Sequence, residues 1–473
     1  MMTIDSPEVN GTSVARAMLR SVRSMELSDL SAPACDKLKI CLLDFLSCAF
    51  EAHDLPWSRQ ATAIAAKATS GATILGSDVV APAADAAFAN ATLGHGLVRE
   101  DMHAGSIGHH GVVIWPVLLA LAQRNTVSGA RFLTAAAIGY EIGGRIGRAL
   151  FTADLALLFR PTGILGPLAG AAAGGYLLSL PEDAAVSALA LAANTASGLN
   201  QWPYEGGSDM YFHPGFAARG AITSIALAQA GAYGSENILE GEGGLFAAFR
   251  RAAAPAAIQL FPDGQEEILA VYNKPVPACN FAQTACQAAI RVAEEVDSID
   301  AIESVAVHLP EAAIRYPGCD FNGPFERALQ AKMSIQYGVA AALVRKAVAE
   351  ENYRRLDDPA VLRLARLTRL KRDADFTTAF PDRQGAEVEV SLSTGARISR
   401  RITDVIAATE GEIRVRFRAA AGAVLGPSRA DAIEQMVDRL ERAEDAGRVA
   451  ALCAPHLRGA RPRSAARAAS RGD

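Results

Sequence analysis

Pro161-Thr162-Gly163-Ile164-Leu165-Gly166-Pro167-Leu168-Ala169-Gly170-Ala171-Ala172-Ala173-Gly174-Gly175-Tyr176-Leu177-Leu178-Ser179-Leu180-Pro181 contains no Asp, Glu, Lys or Arg. An apolar run of this length reads either as a membrane span or as the inside of a helical bundle. Its three prolines, Pro161, Pro167 and Pro181, and its many Gly and Ala residues decide for a buried helix pair. Outward from it, helical periodicity recurs at residues 31–52, 57–68, 81–96, 116–124, 128–150, 164–178, 181–198 and 215–231. Turns with Gly, Asn or Pro separate most of these segments. Small residues on the inner faces let helices approach closely, which predicts a large helical domain over about residues 12–268 rather than a coiled coil.

The pattern changes near Tyr272. Ile302-Glu303-Ser304-Val305-Ala306-Val307-His308-Leu309 alternates as a strand does. So does Glu387-Val388-Glu389-Val390-Ser391-Leu392-Ser393, which turns at Thr394-Gly395 into a second strand over 396–402. Helices are predicted at 280–296, 325–349 and 359–367, making 269–402 a smaller α+β domain. Helical patterning returns at 403–457, clearest over 429–451, and is expected to rejoin the helical domain. Residues 458–473, rich in Arg, Ala, Ser and Gly, read as a solvated, disordered tail. The predicted fold class is mainly α with a smaller α+β portion. The helical domain is built from both chain ends, and an α+β lid is inserted between them.

At 473 residues, 50% hydrophobic and 21% charged, with a net charge of −5, the chain reads as soluble and globular. Nothing in that balance calls for nucleic acid. The N-terminus has neither a basic region nor a following apolar core, so no signal peptide is expected. The 7 Cys include no CxxC pair, and Cys41 and Cys48 read as small core residues. A reducing cytoplasm fits such cysteines. No nucleotide-binding glycine motif is present.

The chemistry concentrates between 94 and 110, where His95, His103, His109 and His110, half of the 8 His, interleave with Arg99, Glu100 and Asp101 inside apolar flanks. Titratable groups framed by apolar sequence are candidates for a tuned acid–base site. The spacing of Asp101, His103 and His109 matches no standard metal pattern. Arg160 and Thr162 stand at the start of an Ala/Gly helix, where a carboxylate is favoured, although Thr162 also suits a simple cap. His213 precedes or opens another helix. Lys274, followed by prolines, is a fixed cation able to grip a carboxylate or stabilise an enolate-like anion. Cys279 could act as an acid or nucleophile or be structural, and Tyr337 could be a donor or core.

These landmarks, in this order, resemble the MmgE/PrpD family, which includes 2-methylcitrate dehydratase, cis-aconitate decarboxylase and iminodisuccinate epimerase. The matching residues are 86–91 with His95, then Asp101 and His103, 109–116, Pro161-Thr162-Gly163, His213-Pro214-Gly215, Lys274-Pro275 with Cys279, and Ser334-Ile335-Gln336-Tyr337. The resemblance implies a cleft between two domains, a homodimer, and chemistry on a small carboxylate without nucleotide or metal. It also has departures. Val98-Arg99-Glu100-Asp101-Met102 stands where the family has Asp-Phe-Asp-Asp-Thr, Arg160 where it has His, and Asp209 and Met210 where it has a Lys nearby.

On that resemblance the expected activity is a dehydratase-like lyase on a di- or tricarboxylic acid. Asp101, His103, His109, Lys274 and Tyr337 would be catalytic; Arg99, Arg160, Thr162, His213 and Cys279 would bind substrate; no cofactor, metal, membrane or nucleic acid is expected. Two alternatives use the same residues: an epimerase, isomerase or decarboxylase of a related carboxylate, with His103 and His109 on opposite faces of one carbon in the epimerase, and a carboxylate-binding protein without catalysis.

Overall fold

The computed structural model describes residues 12–455. The N-terminal stretch and the expected C-terminal tail lie outside the described residues. Among the described residues no helix is long and apolar enough to cross a membrane.

The helical part is organised by α1 (Ala32–Glu51), α2 (Ala83–His95), α3 (Gly111–Ala122), α4 (Gly129–Leu150), α5 (Pro161–Leu177) and α6 (Asp209–Gln229). The uncharged run from Pro161 is one continuous helix, α5, with Pro161 at its first turn and Pro167 inside it, rather than a helix pair. It is buried on nearly every side. Its glycines explain how. A Cβ on Gly166 would lie 3.0 Å from Ala217 Cβ, one on Gly170 2.9 Å from Ala221 Cβ, and one on Gly174 2.5 Å from Ile225 Cδ1. Gly166, Gly170 and Gly174 therefore form an i, i+4 stripe against the matching stripe of α6. Only bare α-carbons allow so close a contact.

Prolines misplaced two predicted helix starts. The segments expected at 116–124 and 215–231 begin earlier, at Gly111 and Asp209, with Pro116 and Pro214 inside α3 and α6. Proline favours a first turn, but all-round burial of both helices overrides that local preference.

The α+β part carries α7 (Gln283–Ala293), β3 (Ile302–Leu309), α8 (Ile335–Arg345), β4 (Thr368–Arg372), β5 (Ala386–Leu392) and β6 (Arg397–Ile402); two short strands, β1 (Met102–His103) and β2 (Val271–Tyr272), precede it. The four-stranded sheet has the order β4-β3-β5-β6, with β4 parallel to β3 and the other pairs antiparallel. Ile302, Val305, Val307 and Leu309 face its core. A register irregularity between Ile302 and Ser304 accounts for the three-residue step. Strand β4 has no signal in the alternation of the sequence. Its residues, Thr-Arg-Leu-Lys-Arg, are those of a charged edge strand. The helix expected over 325–349 is broken at Ser334, whose hydroxyl accepts the Tyr337 N–H (3.0 Å) and caps α8.

After the sheet, α9 (Glu410–Leu425) returns to the helical body and packs along α1. Phe417 and Phe50 meet there with ring centroids 6.4 Å apart. Ile413, Ile433, Val437 and Val449 enter the same core as α2 and α3.

Candidate active site

Two short strands bring together segments remote in sequence. In the β1–β2 ladder, Met102 lies opposite Tyr272 and His103 opposite Val271. This pairing sets the histidine-rich loop beside Lys274. Reciprocal backbone bonds between His103 and Gly108 then close the loop tightly (2.9 and 3.2 Å) and return the chain to His109. The turn demands left-handed backbone at two β-branched residues, Val98 (φ 60°) and Ile107 (φ 55°). Such conformations are outliers for branched side chains and concentrate at functional sites.

Both residues line a narrow cleft between the two parts of the chain. Val98, Ile107, His109, Arg160, Thr162 and Met210 come from the helical side; Cys279, Asn280, Phe281, Tyr316 and Met333 come from the α+β side. Four of the residues singled out in the sequence, His109, Arg160, Thr162 and Cys279, thus converge.

His109 is held by its Nδ1, which lies 2.9 Å from the Asp101 carbonyl oxygen and 3.1 Å from Glu100 Oε1. Two acceptors at Nδ1 place the ring proton there and leave a lone pair on Nε2. Nε2 has no hydrogen-bond partner among the described residues. Burial pushes the His109 pKa well below its ordinary value against the pull of Glu100, with Lys274, His95 and Arg160 adding to the drop. The ring is therefore neutral at rest. Its backbone N–H donates to Thr162 Oγ1 (3.1 Å), which leaves the Thr162 hydroxyl proton free to donate.

Behind His109 runs a buried chain of polar contacts. Arg160 Nη2 donates to His95 Nε2 (2.7 Å), so the His95 proton sits on Nδ1 and is donated to Glu100 Oε1 (2.5 Å). Burial works to raise the Glu100 pKa, but His95, His109 and Lys274 outweigh it and hold the carboxyl below its usual range. With both imidazoles neutral, the physical cause is their N–H bonds together with the Lys274 charge. The sequence places Glu100 and His95 in or beside the histidine-rich stretch but gives neither a role. Glu100 stands in the decisive loop and His95 closes α2, but only the fold reveals that they share a carboxylate oxygen with His109.

The other candidates lie elsewhere. Asp101 is buried beneath His109, and its carboxylate accepts the Tyr140 hydroxyl. Burial, aided by Asp44 and Glu100, pushes its pKa up to about 7. Lys274 lies under the cleft and donates to the Val98 carbonyl; burial lowers its pKa. Arg99 points to α1, where it pairs with Glu51 (2.7 Å) and donates to Ser47 Oγ (3.2 Å). His103 turns away from the cleft. Its Nδ1 accepts the Ser106 N–H (3.1 Å) and its Nε2–H donates to Glu267 (2.5 Å). With both nitrogens engaged, His103 does not face His109 across one carbon as an epimerase pair would require. His213 sits behind Arg160, and burial, reinforced by the Arg160 charge, lowers its pKa to about 3. Tyr337 belongs to the α+β core, where its hydroxyl donates to the Asn352 carbonyl (2.7 Å).

A second buried cation is Lys332, which pairs with Glu350 (2.7 Å) and reaches the carbonyls of Gly96 and Leu97 (3.3 Å each). Lys332 and Lys274, both from the α+β side, thereby hold three consecutive carbonyls, 96–98, of the loop on the helical side.

The chain matches the MmgE/PrpD N-terminal domain over residues 16–257 and the MmgE/PrpD C-terminal domain over 276–442. It is 28% identical over 496 residues to the cis-aconitate decarboxylase-like protein oryM of Aspergillus oryzae, covering 96% of this chain and 100% of that protein. It is 25% identical over 480 residues to the cis-aconitate decarboxylase of Aspergillus terreus (94% and 96% covered). A similar match, 25% over 384 residues, covers 77% of this chain and 77% of the cis-aconitate decarboxylase of Mus musculus.

Proposed function

This chain belongs to the MmgE/PrpD family, and from that premise we propose that it is a lyase acting on a small di- or tricarboxylic acid, with His109 as its acid–base residue. One observation carries the reading: a neutral imidazole lines the cleft with a free Nε2, its other nitrogen held against a buried carboxylate. Nε2 takes a proton from the carbon α to a substrate carboxylate. Arg160 and the Thr162 hydroxyl hold the anion, and the Lys274 charge beneath the cleft offsets the enolate-like charge that develops. Glu100 stabilises the imidazolium formed in that step, as the carboxylate of a catalytic triad does. In elimination the imidazolium proton leaves with the departing hydroxyl as water.

A second reading, decarboxylation, is favoured by the names of the relatives. There the C–C bonding electrons stay on carbon as carbon dioxide leaves, and an imidazolium supplies the proton that carbon takes up. The resting His109 is the form suited to taking a proton, which supports elimination first. In both readings the 269–402 segment acts as the lid, an assignment supported by a cleft lined from both sides. Assembly as a homodimer belongs to the same reading; it rests on the family resemblance and is checked by light scattering.

The test is incubation with 2-methylcitrate, citrate and cis-aconitate in deuterated water, followed by proton NMR. A new alkene from a hydroxy-acid supports elimination. Carbon dioxide release from cis-aconitate with deuterium in the product moves the assignment to decarboxylation. Neither turnover nor solvent exchange with any of them rejects the lyase.

A further inference from the structure

Two of the seven cysteines touch. Cys279 Sγ and Cys319 Sγ lie 3.6 Å apart, both as free thiols. A disulfide needs about 2.05 Å between sulfurs, so the two must approach by about 1.5 Å. The backbones of the pair are fixed by one segment. Cys279 N donates to the Lys332 carbonyl (2.8 Å), and the Cys319 carbonyl accepts the Ile335 N–H (3.0 Å). The contact is therefore set by main-chain anchoring, not by two mobile side chains.

The two sulfurs differ in access and charge. Cys279 lines the cleft, whereas Cys319 is fully enclosed. The hydrogen bond between the two sulfurs, in which either can donate, is the main cause of the lowered Cys279 pKa; the Lys274 and Arg160 charges act in the same direction against burial. Cys319 is pushed the other way, chiefly by burial. An accessible sulfur biased toward thiolate beside an enclosed partner is the arrangement of an attacking and a resolving cysteine.

We propose that Cys279 and Cys319 are a peroxide-modifiable dithiol that closes to a reversible disulfide in the wall of the cleft. The Cys279 thiolate attacks one oxygen of hydrogen peroxide. The O–O bond breaks, hydroxide leaves and takes a proton as water, and Cys279 becomes a sulfenic acid. Cys319 sulfur then attacks Cys279 sulfur. The S–O bond breaks and the oxygen leaves as a second water with the Cys319 proton. Two thiols lose two electrons, and one peroxide is reduced to two waters. This site is independent of the lyase assignment.

The full-length protein is treated with hydrogen peroxide, denatured, and its thiols are counted and mapped without reduction. The expected result is two fewer thiols than the seven of the untreated chain, one linked peptide joining Cys279 to Cys319, and full recovery with dithiothreitol. In a Cys319→Ser variant with an unchanged melting temperature, Cys279 is expected to stop as a sulfenic acid captured by dimedone. If that variant does not fold, the wild-type map decides alone. Seven remaining thiols under conditions that oxidise free cysteine, or a link between any other pair, overturns the proposal. So does an unchanged loss of two thiols in Cys319→Ser.

Discussion

His109 depends on a carboxylate it does not own. Glu100 shares one oxygen between His95 and His109, and its charge raises the His109 pKa against burial. Glu100→Gln is therefore expected to lower the His109 pKa. The acid limb of kcat/KM moves to lower pH, and kcat falls as the imidazolium loses its counter-charge. His109→Gln removes the base itself and is expected to cost about 10²–10⁴-fold in kcat, read in a steady-state assay on the substrate found by NMR. Asp101 gives a prediction without substrate. Its carboxyl is raised from 3.8 to about 7 in the folded protein, so the folded state holds a proton that the unfolded chain releases. That contribution to stability is fully present below about pH 4 and is lost as pH rises to about 7. Each tenfold difference in proton affinity between the folded and unfolded states is worth about 1.4 kcal/mol, so wild type should lose roughly 2–4 kcal/mol relative to Asp101→Asn between about pH 4 and pH 8. Urea midpoints of the two proteins at both pH values measure it, and parallel pH dependence would contradict the assignment.

At the scale of elements, the cleft loop is shaped less by its own sequence than by what grips it. Lys274 and Lys332 hold the carbonyls of residues 96–98 from across the domain boundary. Lys332 is wholly buried with Glu350. Lys332→Ala leaves that carboxylate buried without its partner and should cost about 3–5 kcal/mol. Lys332→Met with Glu350→Leu should recover most of the loss, because an apolar pair removes both desolvated charges. Chemical denaturation of the three proteins distinguishes an ion pair needed for stability from one that only orders the loop. In the second case the double variant stays folded but alters the cleft, which amide exchange at residues 96–98 reports. The α5–α6 contact shows the same dependence in apolar terms: Gly166, Gly170 and Gly174 matter through the side chains they lack.

At the scale of the molecule, the C-terminal segment enters the same core as the helices from Ala32 onward. The C-terminal segment is seated where Gly129 N donates to the Ala443 carbonyl (2.7 Å). A Cβ on Gly129 would lie 1.6 Å from the Leu440 carbonyl oxygen. The obstacle is backbone, so Gly129→Ala must displace the seat itself. The expected result is a lower melting temperature and early tryptic cleavage at Arg439 or Arg442, with the N-terminal helices cut later. Simultaneous cleavage throughout would mean that the C-terminal helices do not unfold as a separate unit.

Sequence alone determined the helical body and the β3, β5 and β6 strands, and it singled out His109, Arg160, Thr162 and Cys279 among its candidates; that these four share one cleft is read from the fold. Periodicity, turn chemistry and motif order are local or ordered along the chain, and each survives without coordinates. It could not determine which titratable groups enter the cleft. Glu100 and Arg99 are neighbours in sequence, yet one meets His109 and the other Glu51. His103 and His109 lie in one loop but serve separate networks. The left-handed turns at Val98 and Ile107 decide those directions, and the β1–β2 ladder and the two lysines brace the loop that contains them. Partners far away in the chain hold this loop, so its geometry belongs to the tertiary structure.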